Sequence, residues 1–186
     1  MQHITSKDGT VIAFDRTGQG PALILVTGAT VTRAFYAELA MTLAPHLTVF
    51  FYDRRGRGES GDTAPYAVLR EVEDIEALIN RAGGSAFVFG HSTGSALALE
   101  AARLLSLQVT KLAVYEPPFI IDDSLPPVPP DYVAHLTRLI SSDRRGEAVE
   151  YYLKSVGTPA ELIAQLRQSP MWPGVEALAH TVAYDG

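Results

Sequence analysis

The sequence predicts an α/β fold: a mostly parallel sheet flanked by helices, with an inserted helical lid. Three observations carry that prediction. Four short runs, residues 22–26, 47–52, 86–89 and 112–115, are almost wholly apolar. They lack the polar alternation of a half-exposed strand, so they read as strands covered on both faces. The segments between them carry apolar residues at helical spacing. From about Pro117 onward the pattern is helical only.

In chain order, Ile4 and residues 11–14 flank Lys7-Asp8-Gly9, which reads as two strands joined by a turn. After the strand at 22–26, Phe35, Leu39 and Leu43 fall on one face of a first helix. After the strand at 47–52, Val68, Val72, Ile75 and Ile79 line one face of a second, with Arg70, Glu71, Glu73, Asp74 and Glu76 mostly elsewhere. This is βαβ organisation. Pro126-Pro127-Val128-Pro129-Pro130 then forms a stiff linker that cannot join a helix or an inner strand. Beyond it, Tyr132, Leu136, Leu139 and Ile140 make one helical face. Thr158-Pro159-Ala160-Glu161 has the N-cap, N1 proline and capping-box glutamate of a helix start. Ser169-Pro170-Met171-Trp172-Pro173 breaks that helix, and Val175, Leu178, Ala179 and Val182 suggest a last one. The expected division is a core over residues 1–118 and a helical lid over 119–186.

A chain of 186 residues can bury a sizeable core. Its net charge of −6, with no basic run, argues against nucleic acid and anionic membranes as partners. The N-terminus is polar, and no apolar run approaches a transmembrane length. With no cysteine, disulfides, thiolate metal sites and a cysteine nucleophile are excluded. The cytoplasm is the expected compartment.

The chemistry concentrates at Gly90-His91-Ser92-Thr93-Gly94, directly after one apolar run and directly before the small apolar stretch 95–105. In strand–turn–helix context this G-x-S-x-G pattern is a nucleophile elbow. A serine at the tip of such a turn is held in a strained conformation with its hydroxyl above the sheet. Gly90 and Gly94 are small where strand and helix nearly touch. The Thr93 amide lies at the helix N-terminus, where it can hold an oxyanion.

On these residues the chain resembles the α/β-hydrolase fold superfamily, and three further segments carry the likeness. Thr27-Gly28-Ala29 stands where the superfamily usually has His-Gly-x, and the resemblance makes the Ala29 amide the second oxyanion donor. Residues 52–60, Tyr-Asp-Arg-Arg-Gly-Arg-Gly-Glu-Ser, resemble the D-x-R-G-x-G-x-S signature after the fourth strand. Tyr115-Glu116-Pro117-Pro118 resembles the end of the sixth strand. The likeness runs from the N-terminus to about residue 118. It implies a serine hydrolase that acts on a small ester, thioester or amide through an acyl-enzyme and needs no cofactor. Tyr132, Met171 and Trp172 would shape a pocket for a small apolar substrate. Cofactor-independent haloperoxidase or carbon–carbon hydrolase chemistry uses the same parts, and a non-catalytic small-molecule binder or an inactive fragment is the alternative.

Competing patterns are weaker. Residues 56–61 match G-x-G-x-x-G, yet they run into Asp62-Thr63-Ala64-Pro65 instead of opening a helix, so a pyrophosphate would find no helix N-terminus. Asp53, Arg54 and Arg55 read as a loop braced by ion pairs. His91 adjoins the serine but is expected to pack beneath the turn. The histidines lack ligand spacing, so no metal is expected.

The triad order in this superfamily is nucleophile, acid, histidine. His180 sits in an amphipathic helical pattern and is a poor base, and Asp185 is a poor acid. The strand around Val114 would normally have a neighbour on each side, and an exposed apolar edge is a liability. The expectation is therefore an N-terminal portion whose C-terminal complement, a separate or cleaved polypeptide, supplies the histidine. Glu116, on the same rim as Ser92, is a candidate acid; its other reading is a linker residue.

Overall fold

The computed structural model describes residues 1–122 and 127–186. They form two compact units, Met1–Pro117 and Pro118–Gly186. The predicted proline linker begins at Pro126, outside the described residues.

The first unit is built on a mixed six-stranded sheet of order β1-β2-β4-β3-β5-β6. Its strands are β1 (Gln2–Thr5), β2 (Val11–Thr17), β3 (Ala22–Val26), β4 (Thr48–Tyr52), β5 (Ala86–His91) and β6 (Val109–Tyr115). The predicted hairpin is present as antiparallel β1 and β2, with Ile4 opposite Ile12. β2 also runs antiparallel to β4, whereas β3, β4, β5 and β6 are mutually parallel. Strand alternation then splits the core into two layers. Ile24, Val26, Phe50, Tyr52 and Val88 face helices α2 (Val68–Arg81) and α3 (Thr93–Leu104), where they meet Val72, Ile75, Ile79, Leu97 and Ala98. Leu23, Leu25 and Val49 face the other way, towards Tyr36 and Ala40.

The first helix differs from expectation. A short 3-10 turn, Arg33–Tyr36, precedes α1 (Ala37–Leu43). The tighter turn rotates the buried face by one residue. Tyr36 is 5% exposed and Phe35 57%. Along α2, Val68 is also exposed, and Leu78 joins the buried face instead. Glu71, Glu73 and Asp74, read as mostly off the apolar face, are buried because each meets a cation: Arg54 for Glu71, Arg70 and Lys7 for Glu73, and Arg55 for Asp74.

Among the expected inner strands β6 is the exception. Among the described residues it pairs with β5 alone, and it is exposed along most of its length, with Leu112, Val114 and Tyr115 all open to solvent.

The second unit is helical: α4 (Tyr132–Ser141), α5 (Arg145–Ser155), α6 (Ala160–Arg167), α7 (Trp172–Ala177) and a closing 3-10 turn, Ala179–Ala183. Its α5, unmarked in the sequence reading, buries Ala148, Val149 and Tyr152. The predicted cap of α6 is shifted: Pro159, not Thr158, occupies the capping position, and no side chain caps the helix. The break at residues 169–173 is short, because Pro173 lies in the first turn of α7, where its missing N–H costs nothing. Among the described residues no helix is long and apolar enough to cross a membrane.

Candidate active site

The turn between β5 and α3 carries the predicted elbow. Ser92 has φ 53° and ψ −128°, a conformation that L-residues other than glycine rarely adopt. Packing enforces it. A Cβ added to Gly90 would lie 2.4 Å from the Gly94 carbonyl oxygen and 2.7 Å from Ala98 Cβ. One added to Gly94 would lie 2.4 Å from the Thr27 carbonyl oxygen. Helix α3 is therefore pressed against both β5 and the end of β3, and only glycine fits at either contact.

Hydrogen bonds fix the turn to its neighbours. The Ser92 N–H donates to the Tyr115 carbonyl at 3.0 Å, and the Ser95 N–H to the Ser92 carbonyl at 2.8 Å. The buried Ser95 hydroxyl lies 2.8 Å from the Gly90 carbonyl and 3.0 Å from that of Tyr115. Thr93 opens α3, so its amide belongs to the positive end of the helix.

The loop after β3 runs alongside. A Cβ on Gly28 would sit 3.1 Å from Ser92 Cβ and 3.6 Å from its Oγ. Ala29, the next residue, is buried, and Thr30 takes a positive φ of 57°. The structure thus brings Ser92, Thr93, Gly90, Gly94, Gly28 and Ala29 into one locality.

Beneath them lies a group of buried arginines. The Arg54 guanidinium donates two bonds of 2.6 Å to Glu71, with longer contacts to the Thr27 carbonyl (3.3 Å) and the Thr93 hydroxyl (3.4 Å). Arg55 pairs with Asp74 through bonds of 2.9 and 2.8 Å and reaches Asp8 at 2.9 Å. Burial works against the charge on Arg55, yet its two carboxylate partners hold its pKa above the ordinary value. Arg57 donates to the Gly28 carbonyl at 2.9 Å. Asp53 accepts from the backbone N–H groups of Arg33 (2.7 Å) and Glu59 (3.0 Å) and pairs with the Arg33 guanidinium. The braced-loop reading of residues 53–55 therefore describes what these side chains do. Residues 56–61 open no helix, since α2 starts only at Val68.

His91 is half-buried among rings: parallel to Phe35 at 6.0 Å, edge-on to Tyr36 and tilted against Tyr115 at 5.6 Å. The Tyr36 hydroxyl is buried without a hydrogen-bond partner among the described residues, and burial pushes its pKa up to about 12. Glu116 follows β6 directly, exposed and at a positive φ of 49°. The Tyr115 carbonyl bonded to Ser92 ties it to the same rim as the serine.

Of the helical residues expected to shape a pocket, Tyr132 and Trp172 are buried within the second unit and Met171 is open. Trp172 packs with Val149 and Ala179 inside the second unit, and Arg167 lies over its ring at 5.5 Å. Tyr132 is buried against Tyr151, and its hydroxyl accepts from Ser155. Both are spent on the unit's own core, which a 69-residue helical body needs for its apolar content. Met171 alone of the three is open, 68% exposed. His180 stands edge-on to Tyr184.

Comparison with known proteins agrees with this fold. An α/β hydrolase from Sphaerobacter thermophilus superposes with a TM-score of 0.94 at 58% identity, over 99% of this chain and 72% of that one. A pimeloyl-[acyl-carrier protein] methyl ester esterase from Photobacterium profundum is 26% identical over 178 residues, which is 91% of this chain and 69% of the esterase. A thermophilic esterase from Thermogutta terrifontis superposes with a TM-score of 0.69 at 25% identity, over 98% of this chain and 71% of that one. The model of the alpha/beta hydrolase family matches residues 23–184, and the chain belongs to that family.

Proposed function

We propose that this chain carries the nucleophile of an esterase-type serine hydrolase. The observation behind the proposal is Ser92 itself, held at φ 53° at the head of α3 beside the Gly28 backbone. Ser92 Oγ adds to the carbonyl carbon of a small ester, thioester or amide, and its proton passes to a histidine. The amides of Ala29 and Thr93 hold the resulting oxyanion. The tetrahedral adduct collapses, the leaving group departs with the histidine's proton, and Ser92 is acylated. Water, deprotonated by the same histidine, attacks the acyl carbon; the acid leaves and Ser92 recovers its proton. Glu116 is the acid we propose to orient that histidine, and its unusual backbone conformation favours this over a linker role.

We propose that the histidine comes from a complement that pairs along the exposed edge of β6. We place the assembled enzyme in the cytoplasm. A fluorophosphonate with denatured intact-mass readout tests the proposal. One equivalent of adduct is expected on this chain when the complement is present, and none on Ser92→Ala. No adduct on the assembled protein, or equal labelling of Ser92→Ala, refutes it.

A further inference from the structure

The two amides proposed to hold the oxyanion are fixed by different means. A trans peptide unit is planar, with its carbonyl and N–H on opposite sides. Whatever grips the carbonyl of residue i therefore sets the direction of the N–H of residue i+1. For Thr93 the grip is helical backbone, because the preceding Ser92 carbonyl accepts from Ser95 N–H at 2.8 Å. Ala29 has no such support, since residues 28–31 lie between β3 and the 3-10 turn, outside any regular element. The preceding Gly28 carbonyl is gripped instead by a side chain, Arg57 Nη1 at 2.9 Å.

Arg57 is only 1% exposed. Desolvation opposes burying a guanidinium, so the contacts that hold it there matter, and the bond to the Gly28 carbonyl is one of them. A cation on the carbonyl does something a neutral donor would not: it polarises the peptide unit and strengthens the donor at its other end. Its neighbour Arg54 sits close to the adjoining peptide, 3.3 Å from the Thr27 carbonyl, while Glu71 holds it in place.

We infer that Arg57 is the positioning residue of the oxyanion hole: through the Gly28 carbonyl it orients and polarises the Ala29 N–H. This rests on the serine-hydrolase reading and names a residue that the reading does not require. No group on Arg57 touches the reacting atoms. Its effect appears where negative charge develops on oxygen and is absent from ground-state binding.

The test compares an oxoester with the matching thionoester on the assembled protein, for the unsubstituted chain, Arg57→Gln and Arg57→Lys. Sulfur is larger and a weaker acceptor than oxygen, so the oxo-to-thiono ratio of kcat reports how well the hole fits an oxyanion. Deleting an oxyanion donor outright costs about 10²–10³ in kcat, so displacing one in Arg57→Gln is expected to cost about 10–100-fold, with KM nearly unchanged. The oxo-to-thiono ratio should fall with it. Arg57→Lys, which keeps a cationic donor, should recover most of the ratio. A purely structural role lowers both substrates together, and an unchanged ratio overturns the inference whatever fraction of the variant folds. Where Arg57→Gln yields no folded protein, Arg57→Met, which removes the donor to the Gly28 carbonyl, carries the same ratio test: a fall supports the role and an unaltered ratio overturns it. A crystal structure of Arg57→Gln or Arg57→Met gives a readout independent of turnover. A rotated Gly28-Ala29 peptide is expected, and an unmoved one overturns the role. An unreactive unsubstituted protein sinks the hydrolase reading itself, whereas a reactive one indifferent to Arg57 sinks only this inference.

Discussion

Two regions of the first unit invert the usual rule of polar outside and apolar inside. The loop after β4 and the inner face of α2 bury Arg54, Arg55, Arg57, Glu71 and Asp74 almost completely. Strand β6, made largely of apolar residues, leaves Val114 41% and Tyr115 56% exposed. The buried charges are tolerable because each guanidinium finds carboxylate or carbonyl oxygens. The exposed strand has no comparable compensation, because its outer backbone edge has no partner strand among the described residues. Burial in this chain follows the availability of partners more closely than it follows hydropathy.

The largest expected effect breaks a partnership in the loop. Glu71→Ala strands the Arg54 guanidinium in the interior and should cost about 3–5 kcal/mol, measured as a shift of the urea midpoint. A loss below about 1 kcal/mol, the scale of surface pairs, would show that water already reaches Arg54. Removing both partners should be milder. Arg55→Met with Asp74→Leu is expected to cost less than Asp74→Ala alone, since the charge then left without Arg55, that of Asp8, is partly open to water, and a double-mutant cycle measures the difference.

A smaller effect concerns acid. Hydrogen bonding from Arg55 holds the Asp8 carboxyl well below the usual carboxylate range. A depressed folded-state pKa contributes stability that is fully present above the unfolded value of about 3.9 and disappears as pH falls through the folded one. The stability gap between the unsubstituted chain and Asp8→Asn should therefore be constant near neutrality and close below about pH 4. A gap that persists in strong acid would assign the effect to packing. The smallest effect belongs to the edge. Val114→Thr should change stability by no more than about 0.5 kcal/mol, because the side chain is already open to water. Self-association in sedimentation should fall all the same, and an unchanged sedimentation profile would mean that the edge is not sticky.

How far the sequence could be read follows from the same logic. The bounds of β3 are those of the apolar run at 22–26, because a strand covered on both faces has nothing polar to blur its ends. The elbow was legible for a similar reason: Gly90, Ser92 and Gly94 answer local steric demands made by the turn itself. The burial of Glu71 and Asp74 was missed because amphipathic patterning only sets charges off the apolar face, and the pattern contains no sign of the arginines waiting on a loop fifteen or more residues earlier. The shift from Phe35 to Tyr36 came from a single 3-10 turn, which changes the period without changing the composition. The burial of Trp172 and Tyr132 within the small helical unit was not legible from their size, because it depends on which helices they meet. The role inferred for Arg57 had no sequence signal, since it depends on which carbonyl the guanidinium reaches.

The Tyr115 carbonyl has a further consequence. It is the acceptor for the Ser92 amide, and it belongs to the outermost strand of the sheet. Strand ends at a sheet margin open more readily than interior ones, and amide exchange records each opening. The Ser92 amide proton is thus a built-in clock for fraying at the margin. Its exchange rate should slow when anything pairs with β6, so the nucleophile's own backbone reports whether the sheet beside it is closed.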